Sequence, residues 1–331
     1  MKRDLYWDSL KFVLIFLVVL AHCVASYRPS GGINQPIYNF LFTFTMPLFI
    51  FISGMFSQIN DREKYKSGIL RIFETYVVFQ LIRAVLPMFI SEQITLRSIA
   101  SVIGTPRYTL WYLLSLVFWR LIVYWMPENI LRDKPKEIIL TCFLISLLGG
   151  FIPVQSQFSI QRTMTFLPFF FVGYYAKNID VKKCIAKIPP FLAIGVLFSA
   201  FLIFFFILNK GLGFVLMGNK SYWFSAEFSP VLLCLYRLAF LIAAIIMGTM
   251  VMRLVQVKPM FSQWGKITLF IYIYHSFLIE AFRYVLKQGY FPKYEWICIV
   301  MSVIIMTVLL FLSRIRLLNI LLNPVSYLLK K

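Results

Sequence analysis

The chain has 331 residues, of which 60% are apolar and only 14% charged. An ordinary soluble domain holds roughly 45–50% apolar residues, and no single water-soluble core could hide this much hydrocarbon, so the composition excludes a soluble fold and points to one solvated by lipid. The formal charge of +20 does not make a nucleic-acid surface: the basic residues stand in short clusters between long apolar runs, not on one face of a soluble module.

The N-terminus imitates a signal peptide, with Lys2 and Arg3 before an apolar stretch from Phe12 to Leu20. Asp8 and Lys11 intrude on its start and further apolar runs follow, so the expectation is a retained first helix. Windows of about 20 apolar residues suffice to cross the hydrocarbon core. They fall at Asp8–Ser26, Tyr38–Phe56, Gly68–Ile90, Thr109–Trp125, Glu137–Phe151, Met164–Tyr175, Pro190–Leu208, Ser229–Met252, Ile267–Val285 and Tyr294–Leu312. The fold class expected is an all-α integral membrane protein, a bundle of about ten transmembrane helices forming one domain over residues 1–331. Cys23, Cys142, Cys234 and Cys298 lie within apolar runs and Cys184 in a basic loop, without metal-site spacing. Free thiols are expected.

Orientation follows from Lys and Arg in alternate loops. With the N-terminus inside, twenty fall in the cytoplasmic set, including Arg62 to Arg71, Arg132 to Lys136, Lys177 to Lys187 and Arg253 to Lys266. Eight fall in the outer set, and Lys11, Arg83, Arg120, Arg237 and Arg283 lie within spans. This asymmetry predicts an even number of spans with both termini cytoplasmic.

Ionisable groups within a membrane are costly and mark function or pairing. In the first window Asp4, Asp8, Lys11, Ile15, Val18 and His22 follow alternating steps of four and three, so they share one helix face. Lys11 and His22 stand three turns apart, about 16 Å of rise. Lys11 is either a snorkelling residue or a binding group near the cytoplasmic surface, and His22 lies in the outer half. The chain has only two histidines, and an imidazole suits proton transfer near neutral pH. The second, His275, shares a face with Tyr272, while Ser276, Glu280 and Arg283 form the adjacent stripe. Glu280 and Arg283 are placed to pair. Arg237 needs a partner elsewhere, with Glu280 and Glu74 as candidates. Ser53, in Ser53-Gly54, reads as a packing position where small residues let helices approach. No phosphate loop, Gly-x-Ser-x-Gly elbow or His-Glu-x-x-His site occurs, which disfavours a covalent serine enzyme of soluble type.

Five stretches carry a resemblance. They are Lys11 followed by ten residues and His22; Phe44-Thr45-Met46-Pro47-Leu48-Phe49 running on to Ser53-Gly54; Thr109-Leu110-Trp111-Tyr112-Leu113; Phe166-Leu167-Pro168-Phe169-Phe170 with Gly173; and Tyr274-His275. In this order the chain resembles the membrane-bound acyltransferase family 3, particularly its fucose-4-O-acetylase-like branch. Lys11 stands where Arg is usual, Thr45 replaces a common histidine, and the paired arginines near the third span are represented by Arg71, with Gly68 three residues before it.

The resemblance implies transfer of an acyl group, acetyl above all, from cytoplasmic acyl-CoA to a hydroxyl of a cell-surface or lipid-linked carbohydrate. The membrane would be that of a bacterial cell. Acetyl-CoA would be a co-substrate, with no resident cofactor and no metal. His22 would act as general base, with an acyl-histidine carrier as the lesser alternative, and His275 would support it. Lys11 and Arg71 would meet the phosphates of CoA or a charge partner. Asp8, Ser53, Trp111, Arg237, Tyr272 and Glu280 are further intramembrane candidates. Outer-loop Tyr222, Trp223 and Phe224 suit stacking on sugar rings or an interfacial belt. The partners expected are acyl-CoA, a carbohydrate and the bilayer, with no nucleic acid; a homo-oligomer is left open. Two other classes share these features: a flippase of a lipid-linked glycan, and a non-catalytic subunit of a polysaccharide synthase.

Overall fold

The computed structural model describes residues 4–26, 34–85, 104–154, 157–206, 213–288 and 296–328, and among them every regular element is helical. In chain order these are α1 (Leu5–Ser26), α2 (Asn34–Met55), α3 (Arg62–Val85), α4 (Trp111–Trp125), α5 (Glu128–Asp133), α6 (Pro135–Leu148), α7 (Ile160–Ala176), α8 (Val181–Ala186), α9 (Pro190–Phe206), α10 (Gly213–Met217), α11 (Pro230–Val257), α12 (Thr268–Lys287), α13 (Ile297–Leu312), α14 (Arg316–Leu322) and α15 (Pro324–Leu328). Each of the ten apolar windows corresponds to one of these helices. Window ends at residues 86–90, 207–208 and 294–295 lie outside the described residues, as do the counted cations Lys2, Arg3, Arg28, Arg97, Lys210, Lys293, Lys330 and Lys331.

Four of the described helical runs are long and apolar enough to cross a membrane: α1, α2, α11 and Ser262–Leu286, which contains most of α12. Ile297–Leu312 with Arg316–Leu322 makes a fifth if a bent pair counts as one span. α4 and α9 are apolar but have only 15 and 17 residues, and α3 opens on a charged turn. Large apolar side chains face outward, Phe191 at 76%, Phe206 at 73% and Phe311 at 62% exposure. Meanwhile Arg237 and His275 are fully buried. That inversion of the soluble pattern is what a lipid solvent selects, and the chain is a multi-pass membrane protein.

The described residues cluster into two compact units. Unit 1 comprises Met1–Ile52, Ala176–Leu216 and Arg237–Arg314. Within it α1, α12 and α13 pack on one another, and a 3-10 turn at Ser262–Ile267 lies along the start of α1. Glycine is needed in that turn, because a Cβ at Gly265 would come within 2.4 Å of the Asp8 carbonyl oxygen. Phe12 receives the rings of Phe261 and Trp264 at 5.6 and 5.1 Å.

Helices α1 and α12 run parallel. Gly265 meets Asp8 near one end, and Arg283 Nε donates to Ser26 Oγ at 2.9 Å near the other. The same eighteen-residue step separates Asp8 from Ser26 and Gly265 from Arg283, about 27 Å of helix. At the N-terminal end of α1, Tyr6 Oη donates to Met252 O at 3.1 Å and Asp4 pairs with Lys182 at 2.7 Å. Gln256 then donates to Lys182 O at 2.9 Å, and Arg253 Nε to Ile188 O at 2.6 Å. The start of α1, the α8 segment and the end of α11 therefore share one end of unit 1.

Unit 2 comprises Ser53–Tyr175, Met217–Tyr236 and Ile315–Lys331. Its α3 is preceded by Asp61, whose carboxylate accepts the Lys64 N–H at 3.0 Å and pairs with the Lys64 ammonium at 3.2 Å. Both, the backbone bond first, hold this carboxyl below the usual range. Packing of α3 on α4 and α14 follows. Tyr65 and Tyr124 stack at 6.4 Å, with Arg62 lying 4.7 Å over the Tyr124 ring. Glu74 accepts the N–H groups of Val325 and Ser326 at 2.5 and 3.2 Å and the Ser326 hydroxyl at 2.7 Å. It thereby caps α15, where the first N–H groups have no helical acceptor.

Candidate active site

The two histidines come together in unit 1. His22, on α1, and His275, on α12, have ring centroids 5.4 Å apart at 41°. Parallel packing of α1 and α12 makes this meeting possible, since the Lys11–His22 face is the face α1 turns inward: Ile15 and Val18 on it are buried at 0% and 3%. The two rings differ in access. His22 is half-buried, whereas His275 is fully enclosed.

His275 Nδ1 lies 3.0 Å from Ile271 O. A carbonyl can only accept, so Nδ1 carries the proton and the buried Nε2 keeps its lone pair in the neutral ring. Tyr272 adds a ring 5.9 Å away. Ser26 Oγ donates to His22 O at 2.7 Å while accepting from Arg283, so the backbone at His22 is tied to α12. Arg283 is thus engaged with Ser26 across two helices, a link that no sequence spacing foretells. Glu280, one turn before it, is half-buried.

Three turns below His22, Lys11 Nζ pairs with Asp8 Oδ1 at 2.7 Å. The side chain of Asp8 is 4% exposed and that of Lys11 24%. A carboxylate that deep in protein requires a cation, so the first role the geometry gives Lys11 is counter-ion to Asp8. Its remaining exposure leaves the ammonium reachable. Arg237, in the unit 1 part of α11, is completely buried. Glu74, one candidate partner for Arg237 in the sequence, instead spends its carboxylate on the start of α15.

The other candidates belong to unit 2. Ser53 Oγ and Tyr112 Oη are 2.5 Å apart. A Cβ on neighbouring Gly54 would overlap Phe170 O at 2.0 Å, so this pair sits where two backbones nearly touch. Ser57 Oγ accepts from Arg120 Nε at 3.1 Å, and Arg120 lies 5.6 Å over the Tyr65 ring. Trp111 is buried between Phe166, stacked at 5.5 Å, and Arg162, whose guanidinium stands 4.7 Å over the ring. Arg71 is exposed and lines an open hollow of about 340 Å³ together with Arg316, Asn319, Asn323 and Tyr327. Arg316 was absent from the sequence-based candidates, because its segment is too short to register as a span.

One expectation is corrected. Tyr222 cannot stack on a sugar ring: it is fully buried, donates to Leu147 O at 2.9 Å, and fills the space left by Gly150, where a Cβ would lie 2.2 Å from its ring. Trp223 and Phe224 are exposed.

Among the described residues the chain is a helical membrane protein that brings its two histidines, one half-buried and one enclosed, side by side. An acyltransferase domain family matches residues 4–313. The chain belongs to this acyltransferase family 3, and is a membrane acyltransferase. No curated protein and no solved structure gives a significant match.

Proposed function

We propose that the protein moves an acetyl group from cytoplasmic acetyl-CoA to a hydroxyl of a carbohydrate at the cell surface or on a lipid carrier, within the fucose-4-O-acetylase-like branch of its family. The observation that carries the reading is the His22–His275 pair in unit 1. His22, the accessible ring, takes the proton of the acceptor hydroxyl as its oxygen attacks the thioester carbonyl. The new C–O bond forms, the C–S bond breaks, and the imidazolium returns its proton to the departing thiolate. His275, locked by Ile271 O, holds the second ring in one tautomer beside His22.

For the acyl donor, Lys11 supplies positive charge on the same helix face as His22. Separately, within unit 2, Arg71 and Arg316 both line one open hollow, and two guanidinium groups at one hollow suit a phosphate group. Ten crossings with both termini cytoplasmic complete the reading. It is supported by the twenty-to-eight division of basic residues, and by the clustering of Lys182, Arg253 and the start of α1 at one end of unit 1.

The test is purified protein with radiolabelled acetyl-CoA and a panel of cell-surface glycans. Label should reach one glycan class, and His22→Ala should lower the rate by about 10²–10⁴-fold with insertion unchanged. Transfer at the parent rate by His22→Ala would remove His22 from the chemistry, and no transfer to any hydroxyl acceptor would remove the enzyme reading itself.

A further inference from the structure

The hollow that Arg71 and Arg316 line in unit 2 is built by three helices tied to one another. On α3, the Thr75 hydroxyl donates to Leu322 O at 2.8 Å and to Arg71 O at 2.9 Å. One turn after Arg71, Glu74 accepts from the start of α15. The end of α14 and the start of α15 are thereby both fixed against α3. Arg71 on α3, Arg316 on α14 and Tyr327 on α15 line the space, with Asn323 at the joint between the two short helices.

Three features define what fits there. The first is charge: two guanidinium groups line one hollow, and among the described residues neither is in an ion pair. Arg316 instead donates to Tyr327 Oη at 2.7 Å, and the carboxylate of Glu74 is taken up by Val325 and Ser326. The second is Asn323 Oδ1, which is buried and accepts no hydrogen bond from the described residues. Such an atom is uncommon in a folded protein, and a hydroxyl, being donor and acceptor at once, suits either end of an amide. The third is hydrocarbon. The residues next in sequence to the lining ones are apolar and exposed: Leu70 beside Arg71, Ile315 and Leu317 beside Arg316, and Leu328 beside Tyr327. Leu317 is 65% and Leu328 68% exposed. A phosphate dissolved in water leaves that apolar surface uncovered, whereas a phosphate that carries acyl chains covers it.

From these features we infer that the hollow holds the headgroup of an anionic glycerophospholipid of the phosphatidylglycerol type. Its phosphodiester meets Arg71 and Arg316, a headgroup hydroxyl meets the Asn323 amide, and its chains lie over Leu317 and Leu328. A choline or ethanolamine headgroup would bring a third cation to two guanidiniums, so those lipids fit less well. With this phosphate supplied by a lipid, Lys11 remains the donor's cation in the acyl-transfer reading. Lipid binding is measured without acyl donor or acceptor, so its failure leaves that reading standing.

The experiment is native mass spectrometry of the full chain in detergent, titrated with dioleoyl phosphatidylglycerol or dioleoyl phosphatidylcholine. Coenzyme A and glycerol phosphate serve as competitors. Phosphatidylglycerol should bind saturably and phosphatidylcholine at least about tenfold more weakly, and neither competitor should displace the lipid at equal concentration. Arg71→Gln should weaken phosphatidylglycerol about tenfold. Leu317→Ser combined with Leu328→Ser should weaken it by roughly fivefold while leaving glycerol phosphate binding unchanged. Arg132→Gln, which removes an exposed charge of unit 2 that does not line the hollow, should change nothing. Equal binding of the two lipids would remove the headgroup charge from recognition, and displacement by coenzyme A or glycerol phosphate would make the hollow a site for soluble phosphates. Either result overturns the proposal, as does undiminished phosphatidylglycerol binding in Arg71→Gln. Arg316→Gln also releases Tyr327; should that lower the melting temperature too far to be titrated, Arg71→Gln and the ratio of the two lipids decide.

Discussion

At the scale of single residues, the first α1 pair sets a test that separates charge balance from catalysis. Asp8 is enclosed and Lys11 pairs with it at 2.7 Å. Removing one member of a buried pair strands the other, a loss of about 2–4 kcal/mol once the partial exposure of Lys11 is allowed for. Lys11→Ala should therefore lower the melting temperature in detergent, and Asp8→Asn added to it should restore most of the loss. If acetyl-CoA binding returns together with stability in the double variant, Lys11 is only a counter-ion; binding still weak at restored stability keeps it in the donor site. His275→Asn gives the second contrast. Asn keeps a donor for Ile271 O but loses the titratable ring, so transfer should fall less than in His22→Ala, by about tenfold. A steady-state comparison in which His275→Asn is the more damaged of the two would exchange their roles.

Between residues and the whole chain stand the helices, and here close approach is the governing term. Gly54 has no room for a methyl group, since Phe170 O would lie 2.0 Å from it, while Gly195 on α9 has open space around it. Gly54→Ala should cost about 1–3 kcal/mol through overpacking, read as a lowered melting temperature. Gly195→Ala should be neutral or slightly stabilising, because alanine is the better helix former by roughly 1 kcal/mol. Equal effects at the two sites would deny that α2 is held by backbone proximity at Ser53-Gly54. The helices themselves were legible in sequence, because twenty apolar residues in a row leave few alternatives. The short helices α5, α8, α14 and α15 were not, since five to seven residues carry no such signal. Of the site, the His22 and Lys11 stripe could be read from helical spacing, and His275 from its rarity. Tyr222 could not: an aromatic beside Trp223 and Phe224 looks like surface, and only the vacancy at Gly150 explains its burial. The link from Arg283 to Ser26 joins residues far apart in the chain, which no local pattern encodes.

For the whole molecule, the basic asymmetry yields a topology that can be read directly. Reporter fusions after Lys187 should face the cytoplasm and fusions after Lys220 the exterior, as the alternation of loops requires; the reverse at either position would overturn the count of ten crossings. Finally, the parallel pairing of α1 and α12 makes a ruler pinned at two marks. Asp8 against Gly265 is one mark and Ser26 against Arg283 the other, with the histidines between them. One alanine inserted after Ile15 would turn His22 by about 100° and push it about 1.5 Å along the axis, so either a mark slips or the rings part. Transfer should then collapse, although composition, charge and span length are almost untouched. Seven residues inserted at the same point bring the face nearly back but displace it by about 10 Å, so they should not rescue it. The chain can accordingly drift freely in its lipid-facing residues while the number of residues between those two marks stays fixed.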